Sequence, residues 1–169
     1  MTPKLAVVGA GSAGAAAAYA LRDSPVDVSV FEKSQGVCGR AATRRKDDCT
    51  YEYGANYLKP DDERVTQLVT EELPSDGLVD IDAPIYAFER DGGIGEGRDS
   101  DDHKWTYEAG ITQLAKRLFA ETDAAVHNGV RVATLNRERD GWGVVDADGT
   151  YHPADAERML NPIQHGRAD

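Results

Sequence analysis

Short apolar runs alternate with polar breaks along the chain, and the first of them predict a strand, a helix and a second strand. The run at residues 5–8 is typical of a buried parallel strand covered on both faces, and residues 26–31 predict a second strand. Between them, the alanine-rich residues 12–22 predict a helix that ends at Asp23-Ser24-Pro25. This order indicates an α/β fold class with a parallel sheet.

Two amphipathic helices are predicted further along the chain. Asp61 or Asp62 would cap a helix that reaches about residue 73, with its apolar face formed by Val65, Leu68, Val69 and Leu73. A later helix begins near Thr112 and has apolar positions at 3-4-7-8 spacing, namely Ile111, Leu114, Ala115, Leu118 and Phe119. We expect both apolar faces to pack against the rest of the domain.

The remaining apolar runs are strand-like. A short strand is expected at 49–53, and residues 78–107 predict two or three antiparallel strands broken by Pro84 and by glycines at 92, 93, 95 and 97. Runs at 125–127 and 130–135, with turns at 139–141 and 147–149, predict a β-meander that carries Trp142, Val144 and Val145. We therefore expect an α/β domain over 1–155, with a small antiparallel insertion at about 78–108 and a polar tail at 156–169.

A glycine-rich turn joins the first strand to the first helix and carries the candidate chemistry. In Gly9-Ala10-Gly11-Ser12-Ala13-Gly14, the first glycine permits a tight turn, the second lets the backbone approach a pyrophosphate, and the third lets the helix pack on the sheet. Glu32 ends the second strand, close to the roughly 20-residue offset at which an acidic side chain binds the adenosine ribose. Together these features predict a dinucleotide site, and with it a Rossmann-like FAD/NAD(P)-binding domain over 1–155.

Two other interpretations of this stretch are simpler. The motif by itself could be a glycine turn without function, and residues 5–21 could mimic a signal sequence. The run is interrupted by three glycines and is shorter than the roughly 20 apolar residues of a membrane span. The strand before, the helix after and the acidic residue favour the dinucleotide site.

A second glycine turn follows Glu32 and reads Gly36-Val37-Cys38-Gly39-Arg40, with Arg44 and Arg45 shortly after. It would bring backbone donors and guanidinium charge to the same pyrophosphate. Because a nicotinamide-binding fold does not need this second turn, we expect FAD as the cofactor, with NAD(P) as the alternative.

At these residues the chain resembles the flavin-containing amine oxidase superfamily, most closely its renalase-like branch. Gly39-Arg40 runs into a similar Ala41-Ala42-Thr43-Arg44-Arg45 segment, and Tyr53-Gly54-Ala55-Asn56-Tyr57 resembles the family's strand and glycine turn against the flavin. Residues 108–115 resemble the turn and helix start that follow the first substrate-domain excursion. Cys38 stands where the family usually has glycine.

The resemblance, which covers about residues 4–155, implies both a reaction and a set of site residues. The implied reaction is hydride transfer from an amine or a reduced nicotinamide to FAD, with reoxidation by dioxygen. Val132 would meet the adenine through its strand backbone, although a plain core valine is an equal alternative. The predicted cofactor-binding residues are Gly9, Gly11, Ser12, Ala13, Gly14, Glu32, Lys33, Gly39, Arg40, Gly54, Ala55, Asn56 and Val132.

No catalytic side chain is predicted. Tyr53, Asn56 and Tyr57 would lie near the flavin face, but aromatic residues beside a strand more often pack. The family continues for about as many residues again, so we expect the second half of the flavin cradle to be missing from this chain. Three interpretations remain: an FAD-dependent oxidoreductase, a truncated dinucleotide-binding module without turnover, or a subunit completed by a homo-oligomer or a complementing chain.

The net charge and the cysteine content limit which classes of partner and which kinds of site are expected. The formal charge is −11, from 30 acidic and 19 basic residues. Such a surface repels nucleic acid and anionic membranes, so the expected partner is a small-molecule substrate. The same charge fits either a halophilic source or an ordinary acidic protein.

Cys38, Cys49 and the scattered histidines indicate neither a metal site nor a disulfide. The glycine- and aspartate-rich residues 91–104 favour a solvated loop over a calcium site. With no targeting segment, the expected location is cytoplasmic.

Overall fold

The computed structural model describes residues 2–59, 61–82, 86–97, 103–139 and 141–146. In chain order the elements are β1 (Lys4–Val8), α1 (Ser12–Ala20), β2 (Asp27–Glu32), β3 (Thr43–Lys46), β4 (Cys49–Glu52), α2 (Glu63–Gln67), β5 (Leu78–Asp80), β6 (Tyr86–Phe88), β7 (Ile94–Glu96), β8 (Trp105–Tyr107), α3 (Gln113–Ala120), β9 (Ala125–Asn128), β10 (Val132–Glu138) and β11 (Gly141–Asp146). The predicted break at Pro84, turn at 147–149 and tail at 156–169 lie outside the described residues.

A parallel sheet in the order β1-β2-β9 supports the glycine turns. β2 is the middle strand, and its last three residues, Val30, Phe31 and Glu32, are buried. Val30 lies opposite Val7 of β1 and Val126 of β9, so apolar side chains share one register across the sheet. The predicted strand–helix–strand unit and its parallel sheet are confirmed.

The prediction that β1 is covered on both faces is wrong in part. Leu5 and Val8 are 39% and 53% exposed, whereas a parallel strand is normally buried. Among the described residues, no strand pairs with the edge of β1 that faces away from β2. Among the described strands, the first sheet is therefore open at both outer strands, β1 and β9.

The helices follow the predicted apolar spacing. α1 ends at Ala20, two residues earlier than predicted. Leu21 donates the last helical hydrogen bond, to the carbonyl of Ala17, and Arg22 bonds to Tyr19 in a tighter turn. α3 buries Leu114, Ala115 and Leu118, as its spacing predicts, and packs against α1. Within the described part of the chain, no helix is long and apolar enough to cross a membrane.

The predicted cap of α2 is Asp62 rather than Asp61. Its carboxylate accepts the backbone N–H of Arg64 at 3.0 Å and a hydrogen bond from the Arg64 side chain, and these bonds lower the pKa of Asp62 to about 2. α2 then passes into the π-helical turn Leu68–Glu72, which carries the buried Val69.

The antiparallel strands are more numerous than predicted. Instead of two or three strands, residues 78–107 contribute two pairs, β5 with β8 and β6 with β7. β3 pairs with β4 in a hairpin that the sequence did not predict, since the TRRK of β3 has no apolar alternation. β10 and β11 form one hairpin of the expected meander and pair only with each other among the described strands, but the strand at 125–128, β9, pairs in parallel with β2 and is not part of a meander.

Both glycine turns are anchored in the core. One apolar cluster joins α1, α3, β8 and the π-helical turn, and it includes Cys38 of the second turn. A smaller cluster contains Ala10 of the first turn together with Ala18 and Val30. Burial of one residue from each turn limits how far either turn can move.

Candidate dinucleotide site

The first glycine turn needs glycine at two of its positions. Gly9 has φ = 99°, and its N–H donates to the carbonyl of Phe31 at 2.7 Å. At Gly14, a Cβ would lie 2.0 Å from the carbonyl oxygen of Gly9, so only glycine lets α1 approach the strand. These are the turn and packing roles that the sequence predicts for the first and third glycines.

The amino end of α1 has no side-chain cap. Gly11 occupies the cap position, and the first turn contains no acidic residue. The first N–H groups of a helix carry partial positive charge and lack partners within the helix. The predicted residues Ser12 and Ala13 lie at this end and are exposed, so it can stabilise a phosphate.

Glu32 lies directly beside this turn with its carboxylate held in place. One oxygen, Oε2, accepts the N–H of Ala10 at 2.8 Å, and the other, Oε1, accepts the N–H and the hydroxyl of Ser34 at 2.8 and 2.7 Å. Glu32 is only 8% exposed. Burial by itself raises the pKa of Glu32, but the hydrogen bonds from Ser34 and Ala10 outweigh it and leave the pKa below its ordinary value. The site therefore holds an ionised carboxylate at neutral pH.

The second glycine turn lies against the first. The N–H of Cys38 donates to the carbonyl of Ala10 at 2.8 Å, and a Cβ on Gly39 would lie 3.2 Å from the Cα of Gly11. Cys38 has φ = 80°, a left-handed conformation that costs a non-glycine residue on the order of 1–3 kcal/mol. Its side chain is buried, and burial raises the pKa of the thiol.

The predicted glycine turn at residues 53–57 contacts the second glycine turn at Arg40. The N–H of Ala55 donates to the Arg40 carbonyl at 3.2 Å, and a Cβ on Gly54 would lie 1.9 Å from that oxygen. Asn56 follows and is exposed. The structure thus brings together the turns at Gly11, Gly39 and Gly54, which are far apart in sequence.

The two arginines that follow the second turn, Arg44 and Arg45, contact other groups. The guanidinium of Arg45 donates to the carbonyl of Ala109 at 2.6 Å. That of Arg44 lies 5.4 Å from the centre of the Tyr53 ring. The expectation of three guanidinium groups at the pyrophosphate is therefore corrected to Arg40, which is exposed beside Gly39.

Two further predicted residues, Lys33 and Val132, lie outside the glycine turns. Lys33 is exposed next to Glu32, and Val132 is half-buried in β10, opposite Asp146 of β11. The residue that borders Glu32 directly is Val130, which is 4% exposed and donates its N–H to the Glu32 carbonyl at 2.9 Å. Contact between Val132 and adenine remains a prediction. In the sequence, Val130 is marked by its position directly after Gly129.

Tyr53 is 75% exposed, and its ring lies 5.4 Å from the guanidinium of Arg44. Tyr57 is half-buried. Among the described residues, no group of three or more histidine, cysteine or acidic side chains could hold a metal ion. The site geometry therefore supports binding of a nucleotide more directly than it supports any catalytic side chain.

A cavity of about 430 Å³ lies at the opposite end of the sheet. It is lined by the amino ends of β2 and β9 and by the residues after α1 and α3, including Arg22, Asp27 and Thr122. Because phosphates bind at the carboxyl ends of parallel strands, where the glycine turns lie, this cavity is not the dinucleotide site.

Comparison with known proteins supports the same assignment of the fold. Residues 7–71 match the family model described as an NAD(P)-binding Rossmann-like domain. This segment runs from β1 through both glycine turns to the π-helical turn. It contains most of the predicted cofactor-binding residues, with Val132 as the exception.

Solved structures with the same fold have several different activities: some are described as oxidases or oxidoreductases, one as a Diels-Alderase and one as a fatty acid isomerase. A protein assigned as a protoporphyrinogen oxidase from Exiguobacterium sp. 255-15 is 14% identical with a TM-score of 0.65, and this match covers 86% of this chain and 56% of the other. Putrescine oxidase bound to putrescine is 17% identical with a TM-score of 0.64 and the same coverage. An oxidoreductase from Methanosarcina mazei is 14% identical with a TM-score of 0.63, covering 86% of this chain and 57% of the other.

These similarities confirm the fold class. The chain has a Rossmann-like NAD(P)-binding fold with the parallel sheet β1-β2-β9 and added antiparallel pairs. It spans a little more than half the length of the solved structures just described.

Proposed function

We propose that this chain binds FAD through its ADP half and belongs to an FAD-dependent oxidoreductase of the amine oxidase type. The observation that carries the proposal is the ionised Glu32 carboxylate, fixed by Ala10 and Ser34 beside the uncapped end of α1. A carboxylate at this place accepts hydrogen bonds from ribose hydroxyls, and the helix end stabilises the adjacent phosphates.

The second glycine turn favours FAD over NAD(P). It lies against the first turn through Cys38 and Gly39, so exposed backbone and the Arg40 side chain are available on a second side of a pyrophosphate. An NAD(P) molecule would need only the first turn and Glu32. NAD(P) is the alternative cofactor.

The proposed reaction is hydride transfer from an amine or a reduced nicotinamide, followed by reoxidation with dioxygen. When bound, the flavin supplies the redox chemistry. The described residues would bind and orient it: Glu32 at the ribose, the turns at Gly11 and Gly39 at the pyrophosphate, and the Gly54 turn towards the flavin. The similarity to oxidases, one of them bound to the diamine putrescine, supports this reaction class. The renalase-like assignment is based on the sequence resemblance in residues 4–155.

A second candidate function is a dinucleotide-binding module or subunit that requires further polypeptide for turnover. The exposure of Leu5 and Val8 on β1, beside which no described strand pairs on the outer side, favours this candidate because a parallel sheet is normally covered. The chain also spans little more than half of the oxidoreductases whose fold it shares. A complementing chain or a second copy could cover this edge.

An absorbance scan of the freshly purified protein between the near ultraviolet and 500 nm separates these functions. Bound oxidised flavin that is bleached by an amine or reduced nicotinamide supports the oxidoreductase. Colourless protein that binds ADP supports the module, and flavin absorbance that requires a co-expressed chain supports the subunit. Protein that binds neither flavin nor ADP contradicts the proposal.

A further inference from the structure

Two threonines join the strand after the second glycine turn to the start of α3. The N–H of Thr43 donates to the hydroxyl of Thr112 at 2.7 Å, and the N–H of Thr112 donates to the hydroxyl of Thr43 at 3.1 Å. Each residue thus donates from its backbone to the side chain of the other. Both are half-buried, so water competes poorly for these bonds.

Glu52 completes this link. The hydroxyl of Thr43 donates to Glu52 Oε2 at 3.0 Å, and the backbone N–H of Ile111 donates to Oε1 at 2.8 Å. The Thr43 hydroxyl therefore accepts one hydrogen bond and donates another. Valine, which has the same shape, could do neither.

The link has little freedom to shift. Gly110, just before it, has φ = 91°, and a Cβ there would lie 2.2 Å from Thr43 Oγ1. The backbone of Gly110 therefore packs closely against Thr43. Arg45 adds a further bond from the same strand to the Ala109 carbonyl.

The position of the second glycine turn depends on this link. Thr43 begins β3 shortly after the helical turn Gly39–Ala41, whose first residue contacts Gly11. The link also contacts the second glycine turn, because Cys38 Sγ lies 3.9 Å from the carbonyl oxygen of Ile111, whose N–H donates to Glu52. It can therefore act on a bound nucleotide through the placement of Cys38, Gly39 and Arg40.

We propose that the Thr43 hydroxyl is a positioning residue for phosphate recognition. By joining β3 to Thr112 and Glu52, it holds Gly39 and Arg40 where they can bind the diphosphate of an ADP moiety. This inference rests on the proposed function. It differs from a purely structural role because its effect is confined to ligands that carry the diphosphate.

The test compares ADP with adenosine, which lacks phosphates, on the full chain by isothermal titration calorimetry. For Thr43→Val, the affinity for ADP falls about fivefold to tenfold, the effect expected when a positioned hydrogen bond is lost. The affinity for adenosine stays within about twofold, since Glu32 and its ribose contacts are unchanged. Thr43→Ser, which keeps the hydroxyl, restores the affinity for ADP.

Thr50→Val is the matched control, because Thr50 is exposed on β4 of the same hairpin. It should leave both affinities unchanged. Circular dichroism checks that each variant folds. If Thr43→Val does not fold, Glu52→Gln replaces it. The same selective loss for ADP is expected, because the Thr43 hydroxyl and the Ile111 N–H donate to different oxygens of Glu52 and the amide has only one acceptor oxygen.

The outcomes distinguish the two proposals. An equal loss for ADP and adenosine, or no loss for ADP, overturns the positioning role while the dinucleotide site stands. A wild-type chain that binds no ADP overturns the proposed function and this inference with it.

Discussion

Glu32 Oε2 lies 2.8 Å from the backbone nitrogen of Ala10, so the acidic residue at the end of β2 is bonded directly to the first glycine turn. This bond joins the end of β2 to the turn that follows β1. It places a negative charge beside the positive end of α1. A ribose hydroxyl at this place would meet an oriented, ionised acceptor. The proposed function depends on this arrangement more than on any other.

Replacement of Glu32 by alanine should weaken ADP binding by about 1–3 kcal/mol, because charge-assisted hydrogen bonds to the ribose are lost. Glu32→Gln should lie between alanine and wild type, since it keeps an acceptor oxygen without the charge. Calorimetric titration measures both. Glu71→Ala removes an exposed carboxylate from the π-helical turn and serves as the control. Equal affinity in wild type and Glu32→Ala would remove Glu32 from the site.

Acid should destabilise the protein partly through Glu32. Because the pKa of Glu32 is lower in the folded protein than its ordinary value of 4.5, its contribution to stability is fully present above pH 4.5. The contribution is lost as pH falls through the folded-state pKa, since the unfolded chain takes up the proton more readily. The gap in unfolding free energy between wild type and Glu32→Gln should therefore narrow between pH 7 and pH 3. A constant gap in urea titrations would contradict the lowered pKa.

The close packing at Gly14 predicts a stability effect that can be isolated. In Gly14→Ala the new methyl group would meet the Gly9 carbonyl, and overpacking of this kind costs about 1–3 kcal/mol. Gly36→Ala is the matched control, because no atom lies within 4 Å of the position its Cβ would take. Urea unfolding should show a lower midpoint for the first variant only. Equal midpoints would show that α1 packs less closely on β1 than described.

The two cysteines should react very differently with a thiol reagent. Cys38 is 1% exposed and burial raises its pKa, whereas Cys49 is exposed on β4. A colorimetric disulfide reagent should therefore titrate one thiol per native chain and two per unfolded chain. Cys49→Ser should leave no rapidly reacting thiol. Rapid reaction of Cys38 in the native protein would contradict the close contact between the two glycine turns.

The sequence predicts the two glycine turns and Glu32 because their roles depend on local features. Gly9, Gly14 and Glu32 occupy positions fixed by the lengths of one strand, one helix and the next strand. The helices α2 and α3 are predicted for a similar reason, since their apolar residues recur with the helical period. These features need no knowledge of distant contacts.

Features that depend on distant contacts are not predictable in the same way. β3 is polar throughout, and it forms a strand because β4 pairs with it and because Thr43 bonds to Thr112. The hydrogen bond that Arg45 donates to the Ala109 carbonyl likewise depends on a residue of another segment. The exposure of Val8 shows that the described residues cover its face of β1 only in part, which its own apolar sequence does not indicate.

The most direct test of the dinucleotide site is an amide-resolved NMR titration of the protein with ADP. We predict saturable shift changes, all with one affinity, centred on the amides of Gly11, Ser12, Ser34 and Gly39. Changes centred instead on Arg22, Asp27 and Thr122 around the opposite cavity, or no changes at all, would contradict the account.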